Sequence, residues 1–177
     1  KWYVLFIIFT ICTTYGSTIW IDKLLKEQNA IVKSHKEDWD RQTRKEYKEK
    51  GRKKRVAVML FALLCNFGIL AFLKYIPYAG ELGLLLPLGI SFYTFQSMGY
   101  VMDVYREIVE PEKNFLKVAL FVSFFPQIIQ GPIAIYDKLA GQLYEGHSLR
   151  LGNLQKGALL VLWGVMKKLV IADRAVN

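Results

Sequence analysis

Four long runs without a charged residue constrain this chain more than any other feature. They cover residues 2–21, 56–73, 82–102 and 118–136, with lengths of 20, 18, 21 and 19 residues. At about 1.5 Å rise per residue, each run would form a helix about as long as a bilayer's roughly 30 Å hydrocarbon core is thick. A chain of 177 residues cannot bury four such segments in one soluble core. The sequence therefore predicts an all-α, polytopic membrane helical bundle.

The remaining composition excludes two other classes of protein. The chain is 53% hydrophobic and 14% aromatic, which is too apolar for an intrinsically disordered protein. Its only cysteines, Cys12 and Cys65, each stand alone in an apolar run, so a disulfide scaffold is excluded and a buried apolar role is favoured for both. Because the chain begins with Lys1, lacks a signal-peptide pattern and ends just after an apolar helical pattern, we expect a piece of a longer protein.

The net charge of +9 is concentrated between the first two runs. Residues 22–55 hold 13 Lys/Arg and 7 Asp/Glu, which accounts for +6 of it. Repeated acid-before-base pairs at i,i+4 predict a helical hairpin arm lying along the membrane surface, with Gly51 as a plausible helix stop. The positive-inside rule places this arm in the cytoplasm, between spanning helices at residues 2–21 and 56–75. Its last residues, GRKKR, are interpreted as a topology anchor beside anionic lipid rather than a nucleic-acid site.

Segments 82–105 and 115–136 differ from the first two runs because they contain glycine, proline and polar side chains. Five such residues of the second segment fall within seven positions: Pro126, Gln127, Gln130, Gly131 and Pro132. Backbone groups freed by proline or glycine find no partner in hydrocarbon. We therefore expect both segments to be buried in the bundle, at least one to be broken or re-entrant, and both to line a polar cavity. The alternative is that the glycines are packing notches and the prolines simple kinks.

Ionisable residues inside or at the mouth of a membrane segment are costly and indicate functional sites or ion pairs. Six residues qualify: Asp103, Arg106, Lys167, Lys168, Asp173 and Arg174. For Asp103 and Arg106, a surface i,i+3 pair at a helix end is an equal alternative. The two histidines, His35 and His147, stand in polar surroundings, which favours solvated roles. Without a zinc, HEXXH or phosphate-loop motif, the sequence predicts no resident metal or cofactor.

Three blocks of the sequence resemble the membrane-bound O-acyltransferase family, and its bacterial branch typified by alginate O-acetyltransferase in particular. They are LPLGISFYTFQSMGYVMDVYRE at residues 86–107, FVSFFPQIIQGPI at 121–133 and WGVMKKLVIADR at 163–174. NFGILAFLKY at residues 66–75 is also similar to the segment that precedes these blocks in the family. The resemblance implies a multi-helix membrane enzyme that moves an acyl group, commonly acetyl, from a cytoplasmic donor to hydroxyls of an exported or cell-surface polysaccharide.

The resemblance also implies partners for this protein. It further implies a catalytic histidine, which this chain lacks. The acyl donor would be acetyl-CoA or an acyl-carrier protein. The partners would be membrane lipid, the polysaccharide acceptor and periplasmic or extracellular acetylation proteins. No nucleic-acid partner is expected. The resemblance places the protein in the bacterial inner or plasma membrane. The family's catalytic histidine lies downstream of the block at 163–174, and neither His35 nor His147 occupies that position. We therefore assign no catalytic base and expect the chain alone to be inactive.

A substrate tunnel would explain the unusual polar segments. If donor and acceptor approach from opposite faces of the membrane, their reacting atoms must meet within it at about 3 to 3.5 Å. Broken, polar-lined segments can build such a passage. The candidate tunnel residues are Ser91, Gln96, Asp103, Arg106, Pro126, Gln127, Gln130, Gly131, Pro132, Lys167, Lys168 and Asp173.

The alternative function is a transporter or flippase module, although no internal repeat is visible. A structural membrane subunit is a third possibility. The last apolar pattern, residues 157–177, predicts a further helix.

Overall fold

The computed structural model describes residues 3–35, 39–75, 89–130, 135–146, 148 and 150–175. The described residues are helical apart from their connections and include no strand, which confirms the expected all-α fold. They form two compact units, Lys1–Tyr144 and Glu145–Asn177. The helices of the first unit are α1 (Tyr3–Ser34), α2 (Arg41–Tyr75), α3 (Ile90–Tyr105), α4 (Phe115–Val122), α5 (Phe125–Gln130) and α6 (Tyr136–Tyr144).

The two longest helices, α1 and α2, pack against each other as a hairpin. They contain 32 and 35 residues, which corresponds to lengths of about 48 and 52 Å. Both are long and apolar enough to cross a membrane. The charged residues of α1 all follow Ile21, and those of α2 precede Val56 except for Lys74. Each helix therefore combines one apolar spanning segment with one half of the charged arm.

The arm corrects one prediction from the sequence. Gly51 does not end a helix but lies inside α2, which continues from Arg41 into the apolar segment. It lies where α1 approaches closely, since a Cβ at Gly51 would come within 2.4 Å of the Gln28 side chain. Gln28 is buried, and its Nε2 donates hydrogen bonds to the carbonyl oxygens of Tyr47 (3.2 Å) and Lys48 (3.0 Å). The two halves of the arm thus continue α1 and α2 and do not form separate helices.

A buried polar contact joins α1 and α2 in their apolar part. Asn66 is 2% exposed, and its Nδ2 donates to Thr13 Oγ1 and to the carbonyl oxygen of Ala62, both at 2.9 Å. Hydrogen bonds between membrane helices contribute about 0.6 kcal/mol on average. The pair fixes the register of the two helices because it needs these two residues opposite each other.

An aromatic cluster joins α3, α4 and α6. Tyr100 of α3 is 1% exposed and stacks on Tyr136 of α6, with ring centroids 4.2 Å apart. Phe121 of α4 meets Tyr136 edge-on at 4.9 Å. At the end of α6, the Tyr144 hydroxyl donates to the carbonyl oxygen of Lys117 at 2.8 Å. Burial raises the pKa of the Tyr144 phenol, so it remains a protonated donor at neutral pH. Since α3 also packs against α1 and α2, the cluster anchors the short helices to the hairpin.

The structure interrupts the segment 115–136 between α4 and α5. α4 ends at Val122 and α5 begins at Phe125. Pro126 explains the interruption, because in a continuous helix it could not donate to the carbonyl oxygen of Val122 and its ring would clash there. In α5, Pro126 occupies the first turn, where a backbone N–H has no intrahelical partner in any case. Residues 82–88 and 131–134 of the two segments lie outside the described residues.

The second unit contains α7 (Leu151–Met166), a π-helical segment (Lys167–Ala172) and α8 (Asp173–Ala175). The predicted helix at 157–177 therefore starts six residues earlier than expected, at Leu151. It also changes its winding at Lys167, where the hydrogen-bond spacing widens. Such π-helical turns occur often at functional sites.

Candidate functional site

The candidate residues of α3 have different surroundings. Gln96 is 2% exposed, and its Nε2 donates to the carbonyl oxygen of Phe121 at 3.0 Å. That carbonyl lies in the last turn of α4, where the helix break has removed its intrahelical partner. Gln96 therefore satisfies a backbone group freed by the break, and ties α3 to α4. Ser91 and Asp103 are half-buried, and Arg106 is exposed at the end of the helix.

The candidate residues around α5 are only partly described. Pro126 is exposed and Gln127 is half-buried. Within the described part of the chain, the buried Oε1 of Gln127 has no hydrogen-bond partner. The side chain of Gln130, and all of Gly131 and Pro132, lie outside the described residues. Gln127 is therefore the candidate of this segment whose polar atom the structure leaves open to another partner.

Sequence analysis missed a row of buried hydroxyls on α1. Thr10, Thr14, Ser17 and Thr18 are between 0% and 8% exposed. Their spacing of three and four residues places them on one face of the helix. Thr18 and Ser17 each donate to the carbonyl oxygen of Thr14 at 3.0 Å. The spacing of these small polar residues in an apolar run was the available signal.

Further buried polar atoms lie on α3, next to α1. Tyr93, Thr94 and Ser97 are at most 2% exposed. Counting only partners among the described residues, Tyr93 OH and Ser97 Oγ form no hydrogen bond, and neither does Thr14 Oγ1 of α1. A buried polar group without a hydrogen bond costs about 1 to 3 kcal/mol. With Gln127 Oε1, these atoms lie on α1, α3 and α5, of which α3 packs against the other two. Water or a polar substrate between these helices would satisfy them.

The end of α3 has an unusual geometry that the sequence did not reveal. The N–H groups of Glu107 and Ile108 donate to the carbonyl oxygens of Val104 and Asp103, both at 3.0 Å. This Schellman arrangement places Glu107 at φ 62°, a left-handed conformation that favours glycine. The Glu107 carboxylate accepts a hydrogen bond from Arg55 Nη1 at 2.7 Å. The predicted alternative, an ion pair of Asp103 with Arg106, does not occur within 4.0 Å among the described side chains.

Arg55 and Glu107 also line a cationic groove at the base of the arm. The groove has a volume of about 420 Å³, and most of its lining comes from the polar side of α2. Its charged residues are Lys45, Lys48, Glu49, Arg52, Arg55 and Glu107. Four cations against two carboxylates leave a net charge of +2, with Arg55 already paired to Glu107. Such a groove can hold a phosphate group between Lys45, Lys48 and Arg52.

The candidates of the second unit form a group of their own. Lys167 and Lys168 lie in the π-helical segment, and Asp173 begins the turn that follows it. All three side chains are exposed, and Lys167 Nζ lies 5.2 Å from the centroid of the Trp163 ring.

The described histidine, His35, provides no base beside the buried polar atoms. His35 is exposed in the turn between α1 and α2, where its ring stacks on Trp39 with centroids 4.9 Å apart. Its Nδ1 lies 3.0 Å from Ser34 Oγ. His147 lies outside the described residues.

Curated proteins similar to this chain are O-acetyltransferases. A probable alginate O-acetylase AlgI of Pseudomonas syringae pv. tomato is 40% identical over 50% of this chain and 17% of its own length. A peptidoglycan O-acetyltransferase of Helicobacter pylori is 31% identical over 67% of this chain and 30% of its own length. The probable alginate O-acetylase AlgI of Pseudomonas putida is 34% identical over 64% of this chain and 22% of its own length. This chain is a homologue of these O-acetyltransferases.

The resemblance indicated by the three sequence blocks is thereby confirmed. No family model and no solved structure matches the chain. This chain spans between 17% and 30% of the length of these relatives. Its described residues are all-α, and two membrane-compatible helices together with O-acetyltransferase relatives identify a membrane protein.

Proposed function

We propose that this chain is part of a membrane O-acyltransferase that transfers an acyl group, most simply acetyl, to hydroxyls of an exported or cell-surface polysaccharide. The observation that carries the proposal is the similarity to enzymes named alginate O-acetylase and peptidoglycan O-acetyltransferase. Both names describe the same chemistry on a polysaccharide. The names do not favour the alternative, a transporter or flippase module.

The buried polar atoms support this proposal. Thr14, Tyr93, Ser97 and Gln127 present polar atoms without described partners on the packed helices α1, α3 and α5. A passage for a hydroxylated acceptor or a thioester requires such uncharged hydrogen-bonding groups inside the bundle. The helix break at Pro126 brings Gln127 into this set, because α5 starts anew beside α3.

The reaction would be a simple exchange of acyl partners. The acceptor hydroxyl oxygen bonds to the carbonyl carbon of a donor thioester, the C–S bond breaks, and the hydroxyl proton is passed to the departing thiolate. General-base help to a hydroxyl contributes typically 10² to 10⁴-fold. The family resemblance assigns the base to a histidine downstream of residues 163–174. The groups of this chain would orient the substrates and exclude competing water.

We infer that the donor arrives on the side of the charged arm. The 13 cations of the arm resist translocation, which favours a position on the cytoplasmic side of a bacterial inner membrane. The cationic groove of Lys45, Lys48 and Arg52 opens on the arm and suits the phosphates of acetyl-CoA or of an acyl-carrier prosthetic group. The donor concentration that gives half-maximal transfer should therefore rise in a Lys45→Gln, Lys48→Gln variant more than in a Lys33→Gln, Lys53→Gln control.

The decisive experiment measures the polysaccharide of cells that lack the gene. We expect its O-acetyl content, released by mild base, to fall while the amount of exported polysaccharide is maintained. Reintroducing the whole gene should restore the ester content. Loss of export with unchanged acetylation of the remaining polymer would instead support the transporter. Unchanged export and unchanged acetylation would refute acyl transfer to that polysaccharide.

A further inference from the structure

A second surface feature lies on the hairpin, apart from the buried polar atoms. It is a groove of about 420 Å³ between α1 and α2, at the border between their apolar and charged parts. Its lining is apolar except for one amine: Trp20, Leu24, Lys54, Ala57, Val58 and Phe61. Trp20 is 56% exposed and Phe61 65% exposed, so the aromatic walls of the groove are open to the surroundings of the helices. A hydrocarbon chain is the ligand that such walls would favour.

The groove continues into a smaller polar cavity of about 190 Å³. The two cavities share Leu24 and Lys54, and the polar one is also lined by Tyr47 and Lys50. Lys50 and Lys54 are four residues apart on α2, so they project from the same face of the helix. The combined site is apolar at the end toward the membrane and cationic at the end toward the arm.

Both lysines are available to an external anion. Among the described side chains, neither Lys50 nor Lys54 forms an ion pair within 4.0 Å. The one carboxylate of the polar cavity, Glu27, is 4.0 Å from Lys23 Nζ and so has a cation of its own nearby. The polar end therefore carries uncompensated positive charge.

We propose that this combined groove is a binding site for a phospholipid with a net negative headgroup, such as phosphatidylglycerol. One acyl chain lies against Trp20 and Phe61, and the phosphate lies between Lys54 and Lys50. Charge complementarity selects an anionic headgroup over a zwitterionic one. Near a membrane each lysine strengthens the binding of anionic lipid by about fivefold. Two lysines therefore give a preference for anionic over zwitterionic lipid of roughly 5- to 25-fold. The site would anchor the arm to the inner leaflet and does not depend on the acyl-transfer proposal.

The position of Trp20 provides a direct assay. In the whole protein with Trp20 as its sole tryptophan, quenching by brominated phosphatidylglycerol should exceed quenching by brominated phosphatidylcholine at equal mole fraction in mixed vesicles. The Lys50→Gln, Lys54→Gln variant should lose the preference and quench equally with both lipids. A Lys33→Gln, Lys53→Gln variant removes the same charge from the arm but leaves the two cavities intact, and should keep it.

Two outcomes would overturn the proposal. The first is equal quenching by both lipids in the protein with all its lysines. The second is an equal loss of preference in both double variants, which would indicate diffuse attraction by the arm and no site. If the tryptophan replacements prevent folding, photocrosslinking from benzoylphenylalanine at position 61 gives the same comparison. Lipid adducts should then be enriched in phosphatidylglycerol, and adducts only with protein would overturn the site.

Discussion

Replacing Gly51 by alanine tests the closest helix approach in the arm. In a helix interior this change normally stabilises by about 1 kcal/mol. Here the new Cβ would lie 2.4 Å from the Gln28 side chain, which must move. Gln28 would then lose its hydrogen bonds to the carbonyl oxygens of Tyr47 and Lys48, at about 1 kcal/mol each. The balance predicts a net destabilisation of about 1 kcal/mol.

The sign should reverse once Gln28 is shortened. In a Gln28→Ala background the clashing carboxamide is absent, so Gly51→Ala should stabilise by about 1 kcal/mol. The two changes are therefore coupled by about 2 kcal/mol. Unfolding of the whole protein by sodium dodecyl sulfate in mixed micelles, followed by far-ultraviolet circular dichroism, measures all four variants of the cycle.

Gly68 supplies the matched control on the same helix. A Cβ there meets no atom within 4 Å, so Gly68→Ala should have the same effect with and without Gln28. If Gly51→Ala stabilises the protein to the same extent in both backgrounds, the described contact between α1 and α2 is wrong.

Three further predictions follow from the arm, the break and the end of α3. The cysteine of Ser34→Cys should resist an impermeant thiol reagent added to intact cells and react after the inner membrane is opened. Labelling from outside would show that the predicted topology is wrong. Gln127→Leu in the whole protein should lower acyl transfer at normal expression by about tenfold, the effect of one lost hydrogen bond near 1.4 kcal/mol. The control Gln42→Leu, at an exposed position, should leave acyl transfer unchanged. Equal turnover in both variants would argue against the polar cavity predicted for this segment. Glu107→Gly should be about 1 kcal/mol more stable than Glu107→Ala in the same unfolding assay. Both variants lose the ion pair with Arg55, but only glycine adopts the positive φ without strain. Equal stability would refute backbone strain at this position.

The sequence by itself determined the class of protein and the regions that form helices, although it misplaced a helix stop at Gly51. Charge-free runs of bilayer length favour helices, since a helix makes its backbone hydrogen bonds within one segment and so needs no partner in lipid. The acid–base periodicity of the arm predicted helix there, and α1 and α2 extend through it. The proline and glycine content of segments 82–105 and 115–136 predicted at least one break. The break lies beside Pro126, whose missing N–H is a local chemical fact. The three family-like blocks carried the homology, which depends on residue identities and not on packing.

Only the tertiary structure decided what each polar or small residue contacts. Gly51 could have been a helix stop on local grounds, but the approach of Gln28 makes it a packing position. The hydroxyls of α1 are compatible with lipid or with a bundle interior, because Thr18 can satisfy itself on the carbonyl oxygen of Thr14 in either case. Glu107 adopts a conformation that favours glycine, beside an arginine 52 positions away in sequence. Such contacts join residues far apart along the chain, so no local pattern records them.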